Sequence, residues 1–465
     1  MFYYDRCDRT LNSIHIAGRG KTSLVVKRTT YNSMGPGITR EKALLIGTPK
    51  NKAEWEVADS LEELSRLAET AGARVVKTLV QSLKKADAAL LIGKGKAEEV
   101  QSFIASQPVD VIIFDDELTP TQQRNLETLF KTKTIDRTAL ILDIFAQRAR
   151  SGEGKLQVEL AQLTYTLPRL TGKGVSLSRL GGGIGTRGPG ETKLEVDRRR
   201  IKERITRLNR ELDKVRRVRT LHRLDRKERL RSMIALVGYT NSGKSTLLNR
   251  LSRTQVLVRD QLFSTLDPKV GKLRLGGHQQ AFITDTVGFI NKLPHQLIAA
   301  FKATFEEVTA SDLLLHVIDV SSPHCEAHID AVNRVLAEID MPPRTVVHAF
   351  NKIDLLAERS LLRRWELKVD HGIGISAATG EGIDRLCALI GRLLLPEFKR
   401  VRLTIPFEAW ETIDRIMKQG TIHTATYVET GVVIEADINR ALARELKPYI
   451  QSVLSKNEIA TRRSQ

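Results

Sequence analysis

The chain has 465 residues, 41% hydrophobic and 28% charged, with a formal net charge of +19. That length gives about three domains, and the composition is that of a globular protein. Three widely spaced cysteines (Cys7, Cys325 and Cys387) exclude a disulfide framework or a zinc site, and no apolar run is long enough to span a membrane. The expected location is therefore a reducing cytoplasm, with peripheral association at membranes allowed. So large a positive excess points to a polyanionic partner, either nucleic acid or an acidic membrane surface.

In chain order, residues 1–42 form a basic extension without the apolar core of a secretory signal. Residues 43–152 alternate strand-like and helix-like patterns and are predicted to form a small α/β domain. Its strands are Ala43–Ile46, Arg74–Val80, Ala88–Ile92 and Val109–Phe114, with helices near 56–71, 96–106 and 119–131. Residues 153–231 carry two apolar ladders: Leu156, Leu160, Leu163, Leu167 and Leu170, then Ile201, Ile205, Leu208, Leu212 and Val215. Alternating steps of four and three make a coiled-coil seam, so an antiparallel helical hairpin is expected. Pro168 should kink or end the first arm.

Residues 232–396 resume the strand–helix alternation, with strands Met233–Val237, Gln280–Thr284, Leu313–Ile318 and Thr345–Phe350. Residues 397–465 form a small mixed α+β segment whose chemistry is not readable. The fold class is thus α/β: a P-loop domain with a parallel sheet, preceded by a small α/β domain and a helical hairpin, and followed by a small α+β domain.

The chemistry centres on Gly238, Tyr239, Thr240, Asn241, Ser242, Gly243, Lys244 and Ser245, with Thr246 beside them, which have the P-loop spacing between a strand and a helix over Ser245–Leu251. The glycines let successive N–H groups cradle phosphates, Lys244 reaches the terminal ones, and Ser245 can ligate Mg²⁺. Asp285, Thr286, Val287 and Gly288 end a predicted strand, so Asp285 can hold Mg²⁺ through water and Gly288 can offer its N–H to a γ-phosphate. Thr265, in the loop with Phe263 and Ser264, can close over the metal. Asn351, Lys352 and Asp354 end another strand. There the Asp354 carboxylate can accept from guanine N1–H and N2–H, which adenine lacks. Ser376, Ala377 and Ala378 add a backbone contact to the base.

These motifs, in this order, predict a GTPase whose catalytic groups are Lys244, Thr265 and Gly288. Phe289 stands where Ras-like enzymes carry the Gln that orients water, so slow intrinsic hydrolysis stimulated by a partner is expected. Asn241 occupies the position at which some GTPases bind K⁺ in place of an arginine finger, which makes K⁺ a candidate beside Mg²⁺.

Two look-alikes fail on context. Gly20-Lys21-Thr22 lacks the first P-loop glycine, and Gly183-x-Gly185-x-x-Gly188 has no leading strand and is followed by Pro189. His316, inside an apolar strand, reads as a core residue.

Between Thr192 and Arg231 there are 17 Lys/Arg against 7 Asp/Glu. Between the two ladders lies a tip loop, 171–190, in which eight of twenty residues are glycine and which carries Arg179 and Arg187. A thin tip on a basic arm suits a narrow RNA-lined cavity.

At this point a family resemblance is specific. Gly182–Glu191, Thr192–Arg198, Ile135–Arg148, Gly154–Leu160, Gly238–Ser245 and Asp285–Ile290 resemble the signatures of the HflX family of translational GTPases, over about 43–396. The resemblance implies binding to the large ribosomal subunit, with the loop 181–190 approaching the peptidyl-transferase centre. It also implies a GTP-controlled role in splitting or rescuing stalled ribosomes. RNA contacts are expected on the tip and the start of the basic arm, at Arg179, Arg187, Gly188, Gly190, Arg198, Arg199 and Arg200. The apolar residue after Gly288 is the family's own pattern. A monomer is expected. The alternative is an RNA-binding assembly factor in which GTP mainly orders the fold. A membrane-surface protein is weaker, because no helix sets an aromatic, apolar face opposite its lysines.

Overall fold

The computed structural model describes residues 40–49, 54–82, 86–170, 193–228, 232–252, 262–263, 266, 269–275, 280–292, 294, 297, 302–339, 344–394 and 398–453. The basic extension up to residue 39, the tip loop with Arg179, Arg187, Gly188 and Gly190, and the pair Ser264 and Thr265 lie outside them. Two compact units divide the described residues near Asn209, the first also taking in positions around Phe263 and Leu297.

The first unit opens with β1 (Lys42–Gly47), α1 (Glu54–Thr70), β2 (Arg74–Val80), α2 (Lys94–Ser106), β3 (Val111–Phe114), α3 (Pro120–Phe130), β4 (Lys133–Asp136) and α4 (Arg137–Arg148). The strands form one parallel sheet in the order β2-β1-β3-β4. Continuous apolar runs such as Val111–Phe114 are buried on both faces, as a covered parallel sheet requires.

Ala88–Ile92, expected as a strand, is a turn closed by a bridge between Asp87 and Leu91. The Asp87 carboxylate accepts from the N–H groups of Ala89 and Leu90, both at 2.7 Å, which takes them from any ladder. Leu91 and Ile92 still reach the core.

Asp136 is the polar hub of this unit. Fully buried at the end of β4, it caps α4 by accepting from the Ala139 N–H at 2.8 Å. It also accepts from the Leu118 N–H at 3.1 Å, the Tyr165 hydroxyl at 2.9 Å and the Arg169 guanidinium at 3.2 Å. Asp136→Ala takes the acceptor from four donors, of which only the Arg169 guanidinium keeps other partners, the Leu118 and Tyr165 carbonyls and the Gln123 side chain. Chemical denaturation should show this unit losing about 3–5 kcal/mol. A loss near the ~1 kcal/mol of a simple cap would show that the other three bonds carry nothing.

Next come α5 (Gly152–Thr166) and α6 (Lys193–Glu228). Pro168 acts as expected: α5 gives way to a 3₁₀ turn, Leu167–Leu170. Leu163, Ile201 and Leu208 bury together, with Leu156, Leu160, Leu167, Leu170 and Ile205 packed around them. Arg204 grips Glu159 with two bonds of 2.7 and 2.8 Å.

The second unit holds β5 (Ser232–Val237), α7 (Lys244–Ser252), β6 (Lys269–Arg274), β7 (Gln280–Asp285), α8 (Lys302–Ala310), β8 (Leu313–Asp319), α9 (Cys325–Glu338), β9 (Thr345–Asn351), α10 (Ser360–Leu367), β10 (Gly372–Gly374) and α11 (Ile383–Leu394). Its sheet order is β10-β9-β8-β5-β7-β6, parallel except for the edge strand β6. The phosphate loop therefore leaves a central strand. His316, in β8, is a buried core residue whose pKa burial pushes down to about 3.

The chain ends in β11 (Phe398–Ile405), α12 (Trp410–Gln419), β12 (Thr421–Val428), β13 (Gly431–Asn439), α13 (Arg440–Glu445) and β14 (Ile450–Val453). This βαββαβ order gives an antiparallel sheet, β12-β13-β11-β14, with Val401, Leu403, Ile434 and Ile438 in its core.

Candidate nucleotide site

Between β5 and α7 the chain takes two backbone conformations that favour glycine. Gly238 has φ 154°, and a Cβ there would stand 2.3 Å from the Val317 carbonyl oxygen. Gly243 has φ 95°, and its Cβ would stand 2.2 Å from Asn351 Nδ2. Asn241 also lies in the left-handed region, at φ 60°, where Asn is tolerated better than most side chains.

Lys244 is buried at the start of α7. Its Nζ donates to the carbonyls of Gly238 at 2.9 Å and Tyr239 at 2.7 Å, which leaves a third N–H for a phosphate. Burial lowers its pKa to about 8, with the charge of Asp285 opposing the shift. The protonated form binds phosphate. Below pH 8 the charge is already present; above it, nucleotide binding must take up a proton. Calorimetry in two buffers of different ionisation enthalpy should show uptake of more than about half a proton per nucleotide at pH 8.5. No uptake would mean that Lys244 keeps its charge.

Ser245 Oγ donates to Asp285 Oδ2 at 2.6 Å, while Asp285 Oδ1 is buried without a hydrogen-bond partner. A hydroxyl beside a carboxylate with one unsatisfied oxygen is a hard donor set that fits Mg²⁺. Thr286 is tied to the Leu236 carbonyl at 2.6 Å. Gly288 passes so near the loop that a Cβ would lie 2.9 Å from Thr240 Cα and 3.2 Å from Lys244 Nζ. Phe289 is buried, its ring stacked on Phe305 with centroids 5.8 Å apart.

At the ends of β9 and β10, Asn351 Nδ2 donates to the Ser242 carbonyl at 2.8 Å, and its Oδ1 accepts from the Ala377 N–H at 2.9 Å. Lys352, at φ 66°, pairs with Asp319 at 2.6 Å, and Asp354 stands exposed in the turn Ile353–Leu355. Ser376 is buried and accepts from the Thr379 N–H at 3.1 Å. Thr246 lies in the first turn of α7. The structure thus brings together residues 238–246, 285–288, 351–354 and 376–378. Phe263, assigned to the nucleotide in sequence, is buried with its ring edge-on to Phe145 at 4.7 Å.

Arg250 was missed. Its guanidinium reaches the Ala377 carbonyl at 3.3 Å and also binds the Ala378 carbonyl, bracing the base loop against α7. Asp319, the partner of Lys352, was missed too; its place at the end of β8 was the available signal.

Three family descriptions match the chain: GTP-binding GTPase N-terminal over residues 58–146, GTP-binding GTPase middle region over 148–226, and 50S ribosome-binding GTPase over 233–352. The GTPase HflX of Caldanaerobacter subterraneus is 46% identical over 413 residues, covering 89% of this chain and 94% of the relative. The chain belongs to the HflX GTPase family. The GTPase HflX of Lacrimispora saccharolytica is 44% identical across 87% of this chain and 95% of its own. That of Escherichia coli is 41% identical across 81% and 88%.

As an HflX-family GTPase, the chain binds and hydrolyses GTP, and its G domain is of the ribosome-binding kind. GTPases of this family use Mg²⁺ with the nucleotide. Among the described residues no helix is long and apolar enough to cross a membrane, and Cys325 and Cys387 are unpaired thiols.

Proposed function

We propose that this chain is a GTP-controlled factor that binds the large ribosomal subunit and splits or rescues stalled ribosomes. What carries the ribosomal reading is α6, 36 residues of continuous helix lying within the stretch 192–231 and its excess of ten positive charges. Such an arm neutralises phosphates along an RNA. Arg198, Arg199 and Arg200 sit at its N-terminal end, next in sequence to the glycine-rich loop with Arg179, Arg187, Gly188 and Gly190; together they contact rRNA. The antiparallel hairpin is the rod that carries this loop.

In the G domain, Gly238–Thr246 wrap the phosphates and Lys244 neutralises the terminal ones. Ser245, Asp285 and Thr265 hold Mg²⁺, which supplies charge neutralisation at the β- and γ-phosphates. Gly288 donates its N–H to the γ-phosphate. Asn351, Lys352 and Asp354, with the backbone of Ser376–Ala378, read guanine. Phe289 cannot orient water, so intrinsic turnover is slow and the ribosome accelerates it. K⁺ at Asn241 supplies the missing cation; equal rates in K⁺ and Na⁺ would remove it.

The deciding experiment is co-sedimentation with separated ribosomal subunits, in GDP and in a non-hydrolysable GTP analogue. Binding to the large subunit that is stronger with the analogue supports the reading. Equal binding to both subunits in both states overturns it.

A further inference from the structure

Tyr239 is the second residue of the phosphate loop, and its side chain has a task of its own. Its buried hydroxyl accepts from the Asn291 N–H at 2.9 Å. Its ring lies flat on the imidazole of His328 in α9, with centroids 4.0 Å apart and planes 14° from parallel.

The main chain on either side of Tyr239 also grips this segment. The Phe289 N–H donates to the Gly238 carbonyl at 3.1 Å, and the Thr240 N–H donates to the Phe289 carbonyl at 2.7 Å, making a one-residue parallel bridge. Three hydrogen bonds thus hold Phe289 to Asn291 along the loop, and none of them uses the N–H of Gly288. They set Gly288 against Thr240 and beside Lys244 Nζ. Lysine and glycine N–H are the two groups that meet a γ-phosphate in a P-loop GTPase, and catalysis there is mostly positioning and preset charge.

We propose that Tyr239 is a positioning residue for hydrolysis. Its hydroxyl and its stack on His328 anchor the segment after Gly288, so that the glycine N–H already faces the reacting phosphate. The segment carries no polar side chain at Phe289, so its backbone is what it can contribute, and that backbone needs a fixed support. The inference rests on the reading that the loop at Gly238–Ser245 holds GTP.

The test is single-turnover GTP hydrolysis by the full chain with saturating nucleotide and Mg²⁺, beside dissociation constants for fluorescent GDP and a non-hydrolysable GTP analogue. Tyr239→Phe keeps the ring and removes the hydroxyl. Loss of one hydrogen bond on a positioned group should slow hydrolysis about 3- to 10-fold, with both dissociation constants changing less than about twofold. His328→Ala, which removes the stack and leaves the Tyr239 hydroxyl in place, should slow it in the same direction. An unchanged or faster rate in Tyr239→Phe overturns the proposal, and so do rate and affinities falling in proportion. A wild-type chain that binds neither nucleotide overturns the reading beneath it as well.

Discussion

Asp354→Asn is expected to weaken GTP binding by about 100- to 1,000-fold and to admit xanthosine triphosphate in its place. Asp354 ends exposed in the turn that follows Asn351 and Lys352, a carboxylate presented to a ligand rather than spent on the fold. Two charge-assisted bonds from guanine N1–H and N2–H contribute about 1.5–3 kcal/mol each, and the amide can accept only one of them while its own N–H₂ opposes the other. Xanthine carries a carbonyl where guanine carries that amino group, so the amide then finds a donor and an acceptor facing it. Competition titrations with GTP, ATP and the xanthosine nucleotide give the answer. A variant that still prefers GTP would place the base elsewhere.

Gly243→Ala should be a severely damaging small change in the phosphate loop. Its φ of 95° costs an L-residue about 1–2 kcal/mol, and the new methyl would stand 2.2 Å from Asn351 Nδ2. Asn351 would have to swing away, giving up its bonds to the Ser242 carbonyl and the Ala377 N–H. The sum is about 3–5 kcal/mol against folding of the G domain, together with loss of nucleotide binding. Gly95→Ala is the control of opposite sign: a Cβ there meets nothing within 4 Å, and alanine in a helix gains about 0.5–1 kcal/mol over glycine. Denaturation midpoints for the two variants should move in opposite directions.

The order of motifs along the chain made the nucleotide site legible, because each lies at the end of a strand whose apolar run is plain. Met233–Val237, Gln280–Thr284, Leu313–Ile318 and Thr345–Phe350 all form strands near their expected bounds. What escaped was whatever depends on a side chain reaching across sequence. Nothing local marks Arg250 as the brace of a loop 127 residues away, or Tyr239 as the anchor of Asn291. Ala88–Ile92 misled because apolar content speaks for burial, while Asp87 decides the backbone by capturing two N–H groups. Short β4, with its buried charge at Asp136, carries too few residues to show a period. Beyond residue 397 the sheet order is set by pairings between strands far apart in sequence, such as Phe398 with Asn439 and Val401 with Val453. Periodicity does not encode such partners.

The double grip of Asn351 bears on how the site moves. One side chain joins the phosphate loop to the base loop, and Arg250 clamps that base loop to the helix that begins at Lys244. The loop on the phosphate side and the loop on the base side are therefore tied to each other, so a displacement of one is passed to the other.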